Sequence, residues 1–311
     1  MSNFSVERLE REDGSSVAFY TWPAPAQPLK AAIQIAQGLA EHAGRYDRLA
    51  QDLTQAGYAV FASDHRGHGL TARSPAEYGY LADEAGFQRV VNDLHAVNRR
   101  IAERHPQLPR VLFAHSFGSF AAQHYFASYG DSVSAAVLSG TDFGTAKLLR
   151  VALGIVAIER MRVGRRNPSP VVTKLTFGSY NNAFKPTRTE YDWLSRDTAE
   201  VDKYLADPMC GFETTTQGWQ DLIRGLVQME DPALLARVPK LLPIYMFSGA
   251  LDPVGHAGKG PRALAKAYER AGLSRVTLKL YPGGRHEMIN EVNRAEVTSD
   301  LIGWLDAQLK R

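Results

Sequence analysis

Four runs in this chain are short and nearly all apolar: Ala31-Ala32-Ile33-Gln34-Ile35-Ala36, Tyr58-Ala59-Val60-Phe61-Ala62, Val111-Leu112-Phe113-Ala114 and Ala135-Ala136-Val137-Leu138. Such runs are expected of strands covered on both faces, because a half-exposed strand would alternate apolar and polar residues. Amphipathic segments lie between them. Phe87, Val90, Val91, Leu94, Val97 and Ile101 recur at three- and four-residue steps, one stripe of a surface helix that Pro106 closes. Strand-like runs alternating with helical ones predict α/β units around a mostly parallel sheet.

The two ends extend this pattern. Residues 4–9 and 17–22 flank Glu12-Asp13-Gly14, and Asp-Gly between two strand-like runs predicts an antiparallel hairpin. Two further strands are expected at 244–247 and 276–280, followed by a last helix with Val297, Leu301, Trp304 and Leu305 on one face. Residues 1–143 and 242–311 therefore read as one core. Residues 144–241 interrupt the rhythm with helix-like pieces, no convincing strand, and prolines at 168, 170 and 186. An insertion at the carboxyl edge of such a sheet is expected to form a helical lid. Its first part is basic (Lys147, Arg150, Arg160, Arg162, Arg165, Arg166 and Lys174 against Glu159) and its second part is acidic.

Composition excludes several classes. A chain of 311 residues with 44% hydrophobic content buries a large core, and a net charge of +3 lacks the basic face of a nucleic-acid binder. A single cysteine, Cys210, forms no intramolecular disulfide and fits a reducing compartment. The polar start, Met1-Ser2-Asn3-Phe4, lacks an export signal, so a cytoplasmic location is expected. The most apolar stretch, residues 148–158, is interrupted by Arg150 and falls short of the ~20 residues that span a bilayer. It is expected to line an acyl channel or touch a membrane surface, or simply to pack on the core.

The run from Val111 breaks into His115-Ser116-Phe117-Gly118-Ser119, the layout of a strand, a serine on a tight turn and a helix. A serine hydroxyl is a weak nucleophile that needs a base and a group to orient that base. Asp252 follows the strand at 244–247, and His286 follows the strand at 276–280 after Gly283 and Gly284. The order Ser, Asp, His at successive strand ends suits acyl transfer. Helix capping by Asp252 and a surface-loop role for His286 are the alternatives, and Asp142 competes as the orienting acid. The N–H of Phe117 and that of Leu39, beside Gly38, are the candidate oxyanion donors. Asp64-His65-Arg66-Gly67-His68-Gly69 offers too few ligands for a metal and reads as a hydrogen-bonded loop. Cys210 lies in the insertion with no nearby His, and no cofactor motif is present.

Together these residues resemble the α/β-hydrolase fold, and more narrowly its monoacylglycerol lipase and bacterial lysophospholipase branch, also grouped with serine aminopeptidases. The marks are residues 38–46, residues 64–69, the Ser116 turn, Asp252, His286, and the insertion segments 192–197 and 207–212. The resemblance implies a cofactor-free serine ester hydrolase acting on a monoacyl lipid, with a peptidase, a thioesterase or a non-catalytic binding protein as alternatives. It implies Ser116, Asp252 and His286 as catalytic triad, Leu39 and Phe117 as oxyanion donors, and Gly38 and His115 as substrate-contacting residues. Its partners would be a small acyl ester and, through the lid, a membrane surface. The chain departs from the family at Gln37, where a His is usual, and at Ala114, where a Gly is usual. The extra methyl predicts a slightly crowded strand-to-helix crossing beneath Ser116.

Overall fold

The apolar runs become strands that use both faces. In the computed structural model, which describes residues 3–24, 26 and 28–309, every residue of β3 (Ala31–Ala36), β4 (Tyr58–Ser63), β6 (Ala135–Ser139) and β7 (Ile244–Gly249) is buried. Met1 and Ser2, part of the polar start, lie outside the described residues. With β1 (Ser5–Glu10), β2 (Ser16–Thr21), β5 (Arg110–His115) and β8 (Val276–Tyr281), the sheet runs β1-β2-β4-β3-β5-β6-β7-β8. Strands β3 to β8 pair in parallel, whereas β1 with β2 and β2 with β4 are antiparallel. This is the α/β-hydrolase fold.

The hairpin pairs Ser5 with Thr21 and Glu10 with Ser16, one residue inside the expected run at its far end. Trp22 drops out of β2 yet still donates its N–H to Val60 O at 3.2 Å. Strand β1 stays mostly exposed because it forms the sheet edge.

Period-two alternation distributes β5 between two layers. Val111 and Phe113 join one apolar cluster with Leu49, Leu53, Val297, Leu301 and Leu305, from α1 (Asp47–Gln55) and from a C-terminal helix. Leu112 and Ala114 join the opposite cluster with Val90, Leu94 and Phe126, from α2 (Gly86–Arg104) and α3 (Phe117–Tyr129). Each large side chain so buried contributes about 1.5–3 kcal/mol. The expected stripe on α2 is buried from Phe87 to Ile101.

The chain between β6 and β7 is helical, comprising α4 (Ala146–Val163), α5 (Pro170–Phe177), α6 (Thr198–Ala206), α7 (Thr216–Gln228) and α8 (Pro232–Ala236). Four of the five starts are capped: Ser169, Asp197, Thr215 and Asp231 each accept a backbone N–H from the first turn. Two more helices, α9 (Lys259–Arg270) and α10 (Arg294–Gln308), complete the layers. Among the described residues, no helix is long and apolar enough to cross a membrane.

Candidate active site

Strand β5 ends at His115 and α3 starts at Phe117, so Ser116 alone makes the turn, at φ 49° and ψ −118°. A non-glycine residue in such a conformation costs about 1–3 kcal/mol and persists only where its surroundings hold it. Here Ser116 N–H donates to Ser139 O at 2.9 Å, its carbonyl accepts from Ser119 N (2.8 Å) and Ser119 Oγ (2.6 Å), and Gly118 N–H donates to Gln37 O at 3.0 Å. A Cβ at Gly118 would lie 2.5 Å from the carbonyl oxygens of Ala36 and Gln37. The tight crossing is therefore at Gly118, while Ala114 is fully buried within the apolar cluster.

Asp252 and His286 leave the ends of β7 and β8 and meet. His286 Nδ1 lies 3.0 Å from Asp252 Oδ1, which also accepts Val254 N–H at 2.9 Å, and Ser248 Oγ donates to Asp252 Oδ2 at 2.7 Å. Both side chains are buried. Burial alone would push the Asp252 pKa up, but the facing His286 and the hydrogen bonds hold it below the usual carboxylate value. Burial would likewise lower the His286 pKa, and the Asp252 charge outweighs this and raises it. Asp142 faces elsewhere, 3.6 Å from His256 Nε2, and accepts from Thr145 Oγ1 at 3.3 Å.

A cavity of about 790 Å³ opens onto Ser116 and His286. Gly38, Leu39, His115 and Phe117 line it as well. A Cβ at Gly38 would sit 3.3 Å from Ser116 Cβ, so a side chain there would crowd the serine. Gly38 N–H donates to Glu41 Oε1, and Gln37 Nε2 donates to Glu41 O at 2.9 Å, the backbone role open to an amide in place of the usual His. The N–H groups of Leu39 and Phe117 have no backbone acceptor among the described residues. His115 sits 3.2 Å from Ser139 Oγ, its ring centroid 4.8 Å from that of His286. Burial and the neighbouring His286 depress its pKa to about 4, so it is neutral at pH 7.

Sequence reasoning missed a buried ionic network beside this site. Arg45 donates to both oxygens of Glu287 at 2.7 and 2.8 Å and also to Glu41, whose other oxygen accepts from Tyr46 OH at 2.7 Å. Glu41 and Arg45 stand at a helix-like spacing that was visible, but Glu287 is brought to them only by the fold. It also missed Trp193, whose carbonyl accepts His286 N–H at 3.3 Å and whose ring lies 5.2 Å from the imidazole.

The loop after β4 is held by protein partners. Asp64 accepts from Ala43 N, Leu70 N and Tyr20 OH, His65 bonds Gln37 O, and Arg66 pairs with Asp93 and Asp13. Cys210 departs from expectation, because the fold does bring a histidine to it: ligand atoms of His42, Asp207 and Cys210 all lie within 4.8 Å of one another.

Residues 27–293 match the serine aminopeptidase S33 family. The chain is 32% identical to a monoacylglycerol lipase of Mycolicibacterium smegmatis over 95% of both chains. It is 29% identical to a monoglyceride lipase of Rattus norvegicus, over 96% of this chain and 88% of the rat protein. Among solved structures, a thermostable carboxyl esterase from Bacillus coagulans in complex with glycerol superposes with a TM-score of 0.89, at 27% identity and full coverage of both chains.

Proposed function

The chain belongs to the serine aminopeptidase S33 family, and from that premise we propose that Ser116 carries the acyl group in the hydrolysis of monoacyl lipids such as monoacylglycerols or lysophospholipids. The protein is a serine ester hydrolase of the monoacyl-lipid type. The observation that carries the Ser116 reading is its position on the strained turn, opening onto the same cavity as a His286 that bonds a buried Asp252 at 3.0 Å.

In this mechanism His286 Nε2 takes the proton as Ser116 Oγ attacks the ester carbonyl, and Asp252 holds the ring with Nδ1 protonated. The N–H groups of Leu39 and Phe117 stabilise the oxyanion. His286 then protonates the departing alcohol, and water cleaves the acyl-enzyme by the reverse roles. The cavity matches a substrate with two unlike ends. Leu149, Ala152, Ile155, Val172, Leu222 and Ile223 supply an apolar wall for one acyl chain, while Glu41, Tyr204 and Glu287 offer polar groups to a small hydroxylated head.

Residues 144–241 act in this reading as a lid. Leu148 and Val151 on α4 and Leu175 on α5 line the cavity and are more than half exposed, and Ile158 and Met161 are exposed further along α4. With the neighbouring Lys147, Arg150 and Lys174, they suit peripheral contact with an anionic membrane surface, from which a cytoplasmic enzyme would draw its substrate. Loss of vesicle co-sedimentation in a Leu148→Asp, Val151→Asp variant is the expected result, and undiminished binding would remove the membrane role.

The catalytic assignment is tested by labelling with a fluorophosphonate, expected in the wild type and absent in Ser116→Ala. Equal labelling of both would overturn it. Turnover of aminoacyl-arylamides above that of medium-chain glycerol esters would replace the lipase reading with a peptidase.

A further inference from the structure

His42 lies on the loop that carries Gly38 and Leu39, whereas Asp207 and Cys210 follow α6, and the fold presses these two segments together. Tyr204 OH and Gly211 N–H, both from the α6 side, donate to Ala40 O across the junction at 2.9 Å. At its centre, His42 Nε2 lies 2.8 Å from Asp207 Oδ2, and the Cys210 sulfur completes a set of three ligand atoms mutually within 4.8 Å.

Zinc bound tetrahedrally at about 2.0–2.3 Å from N, O and S donors requires donor separations of about 3.3–3.7 Å. The His42–Asp207 pair stands closer than this and no pair exceeds 4.8 Å, so shifts of about 1 Å would close the three atoms on an ion. Asp207 is already oriented, because its other oxygen accepts Met209 N–H at 2.9 Å. His42 is only 8% exposed and its Nε2 already faces Asp207 across the junction, so the ring needs no turn to present that nitrogen to an ion.

The charge environment admits a cation. The neighbouring guanidinium, Arg45, is bonded to both Glu41 and Glu287, and Arg48 and Lys203 are paired with Glu200. With Asp207 the cluster carries excess negative charge. We propose that His42, Asp207 and Cys210 form a binding site for a zinc-class divalent cation, which takes a water as fourth ligand and ties the segment after α6 to the loop bearing Leu39. Binding displaces the thiol proton to solvent and changes no oxidation state.

The full chain contains one cysteine, so a thiolate-to-metal absorption band reports Cys210 alone. Chelator-treated protein titrated with Co2+ is expected to develop this near-ultraviolet band, with intense visible bands of tetrahedral cobalt, at one equivalent, and Zn2+ should displace both. Cys210→Ser should lose the ultraviolet band. Asp207→Asn and His42→Gln, checked for folding by circular dichroism, should keep it with affinity weakened at least about tenfold. Zn2+ should also raise the melting temperature of the wild type and leave that of Cys210→Ser unchanged. The proposal is overturned if one equivalent of Co2+ gives no thiolate band in the wild type, or if Asp207→Asn and His42→Gln bind as tightly as the wild type.

Discussion

Replacing Asp252 by Asn separates the two things a carboxylate does for His286. Asp252 Oδ1 accepts from both His286 Nδ1–H and the backbone N–H of Val254, whereas Oδ2, among the described residues, accepts only from the Ser248 hydroxyl. A backbone N–H cannot reverse its role, but a hydroxyl can rotate. The Asn oxygen must therefore take the Oδ1 position and its NH2 must face Ser248, which turns to accept. The imidazole keeps its tautomer and loses only the partner's charge. A unit charge about 4 Å from the imidazolium at an effective dielectric of about 20 is worth about 4 kcal/mol, or about 10³ in rate. Asp252→Ala, which removes orientation as well, should cost about 10⁴.

The pH profile supplies an independent reading of the same change. Asp252 raises the His286 pKa above its ordinary 6.5, and the imidazole must be neutral to act as base, so the wild-type acidic limb lies above pH 6.5. In Asp252→Asn that charge is gone, and the limb should move to lower pH. The assay is kcat/KM for a p-nitrophenyl ester between pH 5 and 9. The reasoning fails if the limb stays in place in Asp252→Asn, or if the Asn variant is as inactive as the Ala variant at every pH.

Three other substitutions test particular contacts. Gly118→Ala places a methyl 2.5 Å from two carbonyl oxygens and should cost about 1–3 kcal/mol in urea denaturation, with lower activity because the Ser116 turn shifts. Ala114→Gly, which restores the family's usual residue, should lower stability by about 1–2 kcal/mol through one lost buried methyl and added backbone entropy, while kcat/KM stays within about threefold. Arg45→Met leaves Glu41 and Glu287 buried without their cation and should destabilise by about 3–5 kcal/mol at pH 7. That gap should narrow as pH falls from 7 to 4.5 because the variant is relieved when its unpaired carboxylates take up protons, whereas the wild type keeps most of the stability from Glu287 at pH 4.5 and loses it between there and about 2. Denaturation midpoints at pH 7 and pH 4.5 check the sign.

What the sequence determined by itself was whatever is written in local pattern. Continuous apolar runs specified buried strands to within a residue or two, because a strand covered on both faces is nearly all apolar and admits a polar side chain such as Gln34 only where it finds a hydrogen-bond partner. The turn signals after β5, β7 and β8 placed Ser116, Asp252 and His286 at strand ends, and parallel strands carry such ends to one edge of the sheet. Tertiary structure decided what depends on residues far apart in the chain. The antiparallel junction of β2 with β4 follows from sheet order, which short-range pattern does not encode. The clamp of Arg45 on Glu287 and the seat of Trp193 against His286 join segments more than 90 residues apart. So does the meeting of His42 with Asp207 and Cys210, where a lone cysteine and a histidine of the Gly38 loop became neighbours only because the segment after α6 folds back onto the loop after β3.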